Sequence, residues 1–264
     1  MKKATILFAV FILPLFVMSQ ENKYEYSPKV KNRVEISNLL GKIILQNTSG
    51  NVIIIESDVK FETPERAEGL QLLGAMEDNT GLAINVREEN GIVYISGISK
   101  QVRDHTYTVS IPQGIAVSID YHSPFAQGDL NIDSFEGSLE IKTLNADVKL
   151  TNCTGPFAVN SISGNVEAVF SSFSQVEPTS LATVSGFIDV TLPTSDKASI
   201  SISNLTGNVY NNLSLKSTVK ENTDERAEGL GAIKHKGKNN YTLNGGGQEM
   251  YLKSVSGNIY LRKK

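Results

Sequence analysis

Residues 128–170 read GDLNIDSFEGSLEIKTLNADVKLTNCTGPFAVNSISGNVEAVF. The stretch divides into five nine-residue units that begin at Gly128, Gly137, Ala146, Gly155 and Gly164. Apolar residues follow two and four positions after the start of each unit, as Leu130 and Ile132 do in the first. An alternation with a period of two is typical of a half-buried β-strand. Each unit is therefore predicted to be one short strand followed by a tight bend.

The bends have their own pattern. Glycine, which adopts positive φ without steric cost, opens four of the five units, and Asn145 precedes the exception, Ala146. A third apolar residue follows seven positions after the start of the first four units: Phe135, Leu144, Cys153 and Ile162. We expect this residue to point inward at a corner.

Repetition of such a unit favours a β-solenoid, because one unit cannot bury its apolar edge without a neighbour. On this interpretation Ile141 stacks between like residues of adjacent coils, and Lys142 faces out. The alternative is a meander of hairpins in a sandwich, where turn signals also recur at a spacing of about 8–12 residues.

Residues 1–19 have the features of a secretory signal peptide. Lys2 and Lys3 precede an apolar run from Ile6 to Phe16, and cleavage is expected before Gln20. The run is shorter than the ~20 residues that a membrane-spanning helix needs. Removing residues 1–19 takes away two lysines and no acid, so 23 basic and 28 acidic residues remain. This charge disfavours nucleic acid as a partner.

Turn-and-strand patterns outside the central repeat extend it to most of the chain, with two interruptions at about 57–80 and 214–247. The hexapeptide ERAEGL occurs in both, at 65–70 and 225–230. It is interpreted as part of an insertion that covers a solenoid edge, or as a duplicated binding loop. On the second interpretation the residues in contact with a partner are Glu65, Arg66, Glu68, Glu225, Arg226 and Glu228. The C-terminal strand is expected to cover an open solenoid end or to pair with an edge, where Lys263 and Lys264 leave charge against edge-to-edge association.

Three stretches share a sequence signature: SISGNV at 161–166, TVSGFIDV at 183–190 and SVSGNI at 254–259. They resemble the putative-adhesin family of bacterial β-strand-repeat proteins, formerly a domain of unknown function and related to auto-transporter adhesin head domains. The resemblance is strongest over 105–212 and 240–262. It implies a secreted bacterial β-helix-like protein, and it brings no catalytic residues.

Residues with catalytic or metal-binding chemistry are few and scattered. The three histidines, His105, His122 and His235, have no metal-ligand spacing, and a single cysteine, Cys153, cannot form a thiolate site. Asp104 and His105 are neighbours on a predicted strand and so point to opposite faces. No cofactor and no metal are therefore expected, and Cys153 is interpreted as a small buried hydrophobe.

The sequence thus predicts an all-β, right-handed β-helix-like solenoid of short strands, with residues 20–264 in a single domain and two irregular insertions. The predicted function is an exported, non-enzymatic adhesin-like or cell-envelope interaction protein in the periplasm, at the cell surface or outside the cell. Its partner is a cell-envelope or extracellular protein or glycan, with no membrane span in the mature chain. The alternatives are a carbohydrate-active β-helix enzyme and a purely structural envelope protein.

Overall fold

The computed structural model describes residues 22–59, 65–67, 70, 76–98, 104–126, 128–218 and 239–264. These residues form 21 β-strands and one 3₁₀ turn, Glu65–Ala67. The all-β prediction is therefore confirmed. The segment 1–19 lies outside the described residues. Within them, no helix has the length and apolar character needed to cross a membrane.

The strands form two sheets. From edge to edge, the first sheet contains β1 (Lys23–Tyr26), β4 (Ile53–Ser57), β7 (Thr106–Pro112), β3 (Lys42–Thr48), β9 (Leu130–Asp133), β11 (Val148–Cys153), β13 (Val166–Phe170), β15 (Ile188–Leu192), β21 (Ile259–Lys263) and β17 (Val209–Asn211). The second sheet contains β18 (Leu215–Ser217), β19 (Asn239–Leu243), β16 (Ala198–Asn204), β20 (Gln248–Ser254), β14 (Thr179–Thr183), β12 (Gly155–Ser161), β10 (Glu136–Thr143), β8 (Ala116–Tyr121), β2 (Arg33–Ser37), β6 (Ile92–Gly97) and β5 (Ile84–Glu89).

The chain winds by alternating between the sheets, and successive strands within each sheet are parallel through the central repeat. Leu130 pairs with Val148, and Val148 pairs with Val166, so one coil takes 18 residues. The nine-residue unit is therefore half a coil. The predicted solenoid-like stacking is confirmed, and the hairpin meander does not describe this region.

Inward side chains from successive coils form continuous apolar columns between the sheets. In one column of the first sheet six consecutive members are at most 1% exposed: Ile43, Leu130, Val148, Val166, Ile188 and Ile259. In the second sheet Ile141 lies between Ile119 and Val159, as predicted. Lys142 faces solvent and pairs with Glu140 at 2.8 Å. Burial of these columns is the main source of stability, since each buried aliphatic side chain contributes about 1.5–3 kcal/mol.

Cys153 is fully buried beneath the first sheet. Its Sγ lies 3.2 Å from the carbonyl oxygen of Thr151. Burial raises the pKa of the thiol to about 11, so it stays protonated at neutral pH. The interpretation of Cys153 as a buried hydrophobe is confirmed.

The predicted inward corners are found at one end of each coil only. Phe135 and Cys153 are fully buried, but Leu144 is half-buried and Ile162 is 43% exposed. The prediction is wrong for the last two. At their corner the inward position belongs to the preceding residue, which is Thr143 or Ser161, and both are buried.

These buried polar residues cap the backbone of the corner. In each case the side-chain oxygen accepts a hydrogen bond from the backbone N–H three residues later. The bonds join Ala146 N to Thr143 Oγ1 (3.1 Å), Gly164 N to Ser161 Oγ (2.9 Å), Gly186 N to Thr183 Oγ1 (3.1 Å), Gly207 N to Asn204 Oδ1 (2.8 Å) and Gly257 N to Ser254 Oγ (2.9 Å). A polar side chain is stable at this inward position because it pairs with an amide that would otherwise be buried without a partner.

Glycine is needed at the start of the units for two different physical reasons. Gly137 and Gly155 have φ of 135° and 87°, as predicted. Gly164 and Gly186 do not have positive φ. A Cβ on Gly164 would overlap the carbonyl oxygen of Ala146, and one on Gly186 would overlap that of Gly164. These glycines are therefore required by the close approach of adjacent coils.

The coils do not stack in sequence order. The coil of β2 and β3 lies between that of β6 and β7 and that of β8 and β9. The coil of β20 and β21 lies between that of β14 and β15 and that of β16 and β17. The C-terminal strand β21 pairs with the edge strand β17, as one of the two expectations stated, and its other partner is β15, so it does not cover an open end. The described edges of the first sheet are β1 and β17, and neither contains Lys263 or Lys264.

Two strands, β18 and β19, lie within the stretch 214–247, and both pair antiparallel at the end of the second sheet. The 3₁₀ turn lies within the stretch 57–80. Much of each stretch falls outside the described residues. The single-domain assignment of 20–264 stays a prediction.

The strand register predicts the outcome of two neighbouring substitutions on β12. Val159→Asp places a carboxylate in a fully buried column and should lower the free energy of unfolding by several kcal/mol. Asn160→Asp is exposed beside Lys142 and should change that free energy by less than about 0.5 kcal/mol. Urea denaturation measures both, and equal losses would contradict the register.

The coil spacing predicts that Gly186→Ala is destabilising although an alanine there needs no unusual φ. The added methyl group overlaps the backbone of the neighbouring coil, so we expect a loss of about 1–3 kcal/mol. Gly50→Ala is the control, because its Cβ would meet no atom closer than 3.7 Å. Similar denaturation midpoints for the two variants would overturn this account.

Candidate functional site: a polar groove on the second sheet

The predicted contact residues are only partly within the described structure. Glu65 and Arg66 lie in the 3₁₀ turn and are exposed. Glu68, Glu225, Arg226 and Glu228 lie outside the described residues. The described residues therefore do not test whether the two hexapeptides lie together, and their role stays a prediction.

A groove of about 340 Å³ lies on the outer face of the second sheet, along β16. Because side chains alternate along a strand, Ala198, Ile200 and Ile202 fill the core, while Ser199 and Ser201 face outward. These two small residues form the floor of the groove. We call this feature the polar groove.

Larger residues on the two neighbouring strands form its walls. On β20, Glu249 pairs in register with Ser199, and Tyr251 pairs with Ser201. On β19, Thr242 pairs with Ser199, and Asn240 pairs with Ser201. Thr218 extends the second wall, since its N–H donates to the carbonyl oxygen of Asn240 at 3.0 Å. The polar groove thus contains carboxylate, amide, phenol and hydroxyl groups on a backbone that is fully paired within the sheet.

Glu249 and Tyr251 are held together on one wall. The phenol of Tyr251 donates a hydrogen bond to Glu249 Oε2 at 2.6 Å. This bond, with the nearby negative charge, raises the pKa of Tyr251. At neutral pH the phenol is therefore protonated and serves as the donor of this bond. The wall offers a hydrogen-bond acceptor beside an aromatic ring.

Ser201 differs from the other polar residues of the polar groove. Ser201 as a whole is only 8% exposed, and its hydroxyl lines the polar groove. The hydroxyl is not one of the buried side-chain atoms of the described residues that lack a partner, so it opens onto the groove. It is therefore accessible to a ligand.

Sequence reasoning did not identify the polar groove. The signal was the run ASISISN at 198–204, in which serine and aliphatic residues alternate. This run predicts a strand with a small outward face, but it does not name the walls. They come from β19 and β20, which lie about 40–50 residues later in the chain.

A second group of side chains lies on the outer face of the first sheet. The rings of Tyr210 and Tyr260 stack with centroids 5.3 Å apart, and Phe187 meets Tyr260 edge-on at 6.1 Å. Arg262 donates hydrogen bonds to both carboxylate oxygens of Asp189 across the β15–β21 pair. These contacts join the last three coils, and we assign them a structural role.

The two described histidines, His105 and His122, do not form acid–base pairs with their sequence neighbours, and His235 lies outside the described residues. His105 Nδ1 lies 3.4 Å from Asp58 Oδ1, and Asp58 also accepts the N–H of Thr106 at 2.8 Å. The Tyr121 hydroxyl is buried, where it bonds to the backbone of Leu40, Gly41 and Gly128. It therefore holds a corner of the fold.

No group of three His, Cys, Asp or Glu side chains that could hold a metal ion occurs in the described part of the chain. We therefore expect the melting temperature of the purified protein to be the same with and without EDTA. Circular dichroism during heating measures it. A sharp drop with EDTA that added Ca²⁺ reverses would reveal a metal site.

Comparison with known proteins gives one family. The family model Toastrack DUF4097 matches residues 124–262. No curated protein matches the chain. A "putative cell adhesion protein" from Clostridium sporogenes is 13% identical, with 93% of this chain and 100% of that chain covered and a TM-score of 0.45. A "putative adhesin" from Bacteroides fragilis is 11% identical, with 93% and 98% covered and a TM-score of 0.37. Neither of these two similarities supports a conclusion about function.

Proposed function

The chain belongs to the Toastrack DUF4097 family, as its resemblance to putative adhesins predicted, and we propose that it is an exported, non-enzymatic, adhesin-like binding protein. Its partner is a cell-envelope or extracellular protein or glycan. It holds this partner by non-covalent contacts at the polar groove. The purely structural alternative assigns no role to such a groove.

The polar groove is the observation that carries the proposal. Its floor and walls come from three strands that are hydrogen-bonded side by side, so the binding groups are fixed by the sheet. A site preorganised in this way loses little conformational entropy on binding. Its volume lies within the range of about 300–1,000 Å³ that is usual for ligand sites.

The chemistry of the polar groove favours binding over catalysis. Glycoside hydrolysis usually takes two carboxyl groups that flank the scissile bond. Glu249 is the only carboxylate among the described residues that line the polar groove. The raised pKa of Tyr251 keeps its phenol protonated, so it does not act as a general base at neutral pH. The carbohydrate-active alternative is therefore less well supported.

Two further parts of the proposal rest on the sequence and on general rules. Export rests on the signal-peptide features of residues 1–19. Right-handed winding of the coils is proposed because parallel strands joined by crossovers are right-handed in about 98% of cases.

The hexapeptides are proposed as a second contact region. Glu65 and Arg66 are exposed, which is necessary for such a role. One wall of the polar groove, with Thr218, Asn240 and Thr242, belongs to the stretch 214–247 that contains the second hexapeptide in sequence. The insertions thus contribute to binding on this proposal, although the floor of the site belongs to a coil.

The proposal predicts saturable binding of the purified chain to bacterial envelope fractions or to extracellular matrix proteins, measured by biolayer interferometry. Ser201→Val fills the floor of the polar groove and should weaken binding about tenfold or more without a change in melting temperature. Replacing each hexapeptide with a Gly/Ser linker of equal length tests the second region in the same assay.

Ser118→Val is the matched control, since Ser118 lies on the same outer face of the second sheet but on the distant strand β8. It should bind like the unaltered protein. An absence of binding to every surface tested would overturn the proposal, and so would equal losses for Ser201→Val and Ser118→Val.

A further inference from the structure

A line of exposed aliphatic side chains follows the corner at which the chain passes from the second sheet to the first. Each of five neighbouring coils contributes the residue after its buried polar corner residue, in the stack order Leu144, Ile162, Val184, Val255 and Leu205. Ile162 is 43% exposed, Val184 44% and Leu205 57%, and the other two are half-buried. We call this feature the aliphatic row. A contiguous exposed apolar strip is typical of an interaction site.

The aliphatic row is regular because the backbone ladder continues through the corner. The N–H of Ser163 donates to the carbonyl oxygen of Leu144 at 2.8 Å, and the same bond joins each later pair of coils, at 2.9 or 3.0 Å. Successive members therefore lie about one strand spacing of 4.8 Å apart, and the row extends over roughly 20 Å.

The fold does not require an aliphatic residue at this position. In the coil next to Leu144, Asp120 pairs with Lys142 and Tyr121 pairs with Thr143, so His122 stands at the equivalent place. His122 is exposed to solvent. Aliphatic residues in five consecutive coils are therefore explained better by a contact outside the chain than by the packing within it.

The two rows of side chains beside the aliphatic row have little charge. The row on the side of the second sheet consists of Lys142, Asn160, Ala182, Lys253 and Ser203. The row on the side of the first sheet consists of Asn145, Ser163, Ser185, Ser256 and Thr206, all of them exposed. Among these described residues there is no Asp or Glu, although the chain has 28 acidic residues. Lys142 pairs with Glu140, which lies further from the corner, so Lys253 provides the net positive charge of the strip.

We propose that the aliphatic row docks this protein on the surface of a phospholipid bilayer with anionic headgroups. The aliphatic side chains enter the boundary between headgroups and acyl chains, where their burial is favourable. Lys253 and the serine hydroxyls lie at the level of the phosphate groups, which attract a cation and accept hydrogen bonds. The inference goes beyond the proposed function, because it assigns a lipid contact to a surface outside the polar groove.

A second copy of the chain fits the aliphatic row less well. A stable interface between proteins buries about 800 Å² on each partner, and a strip one side chain wide supplies only a small part of that area. An extended peptide also fits less well, since it binds a sheet at a free edge or in a groove. The aliphatic row lies on the outside of a corner whose backbone is already paired. A fluid bilayer surface needs neither a large complementary area nor a free edge.

The first test measures co-sedimentation of the purified chain with vesicles of phosphatidylcholine that contain about 30% phosphatidylglycerol. The unaltered protein should bind. A variant that combines Ile162→Thr, Val184→Thr and Leu205→Thr should bind about tenfold more weakly or less, because it loses apolar surface. Threonine is chosen because it suits a strand. The control combines Val30→Thr and Val176→Thr, two exposed aliphatic positions outside the row, and should bind like the unaltered protein.

Two further variants test the contact while the other aliphatic side chains stay in place. The chain contains no tryptophan, so Val184→Trp introduces a single fluorescent reporter, whose emission should shift to shorter wavelength when vesicles are added. Val176→Trp should show no shift. Ser185→Asp places a carboxylate beside the aliphatic row at an exposed position and should raise the Kd for the anionic vesicles about fivefold. Circular dichroism checks that each variant is folded.

Three results would overturn the proposal. They are absence of vesicle binding, equal binding by the row variant and its control, and equal emission shifts at the two tryptophan positions. A dimer seen by light scattering that the row variant dissociates would also overturn it, since the row would then belong to an interface between copies. None of these results concerns the polar groove, so the proposed function would stand.

Discussion

The close approach of adjacent coils at one corner is the constraint on which the rest of the structure depends. Neighbouring strands lie about 4.8 Å apart. At the corners before β13, β15, β21 and β17, a carbonyl oxygen of the neighbouring coil occupies the place where a Cβ would lie, so glycine is required at positions such as Gly164 and Gly186. The N–H of each glycine is bonded to a buried side chain such as Ser161 or Thr183. With the corners in contact, the apolar columns come into register and exclude water.

The order of the coils has as much consequence as their spacing. Both terminal coils lie one position inside the stack, so the coil of β20 and β21 separates two coils that precede it in the chain. The polar groove exists because of this arrangement. The serines of β16 meet Glu249 and Tyr251 of β20 on one side and Asn240 of β19 on the other. In a stack that followed sequence order, β14 would be the neighbour of β16, and it would bring the small residues Ser180 and Ala182.

The proposed binding surface and the fold therefore share one set of interactions. The hydrogen bonds that hold β19, β16 and β20 together also fix the groups of the polar groove at their separations. The inward side chains of the same strands, among them Ile200 and Leu252, lie in the core. The strands need not rearrange when a ligand binds at the outer face. This rigidity favours recognition by the outward side chains.

The sequence by itself determined the strands, the nine-residue repeat, the buried column around Ile141 and the buried state of Cys153. These follow from local chemistry, since alternation with a period of two and a recurring turn specify a strand wherever they occur. Only the tertiary structure decided the order of the coils, the reason for Gly164 and the polar groove. The backbone edges of different coils offer nearly the same hydrogen-bonding groups. The local sequence therefore does not indicate which strands pair with each other. The walls of a site built from paired strands are therefore known only once the pairing is known.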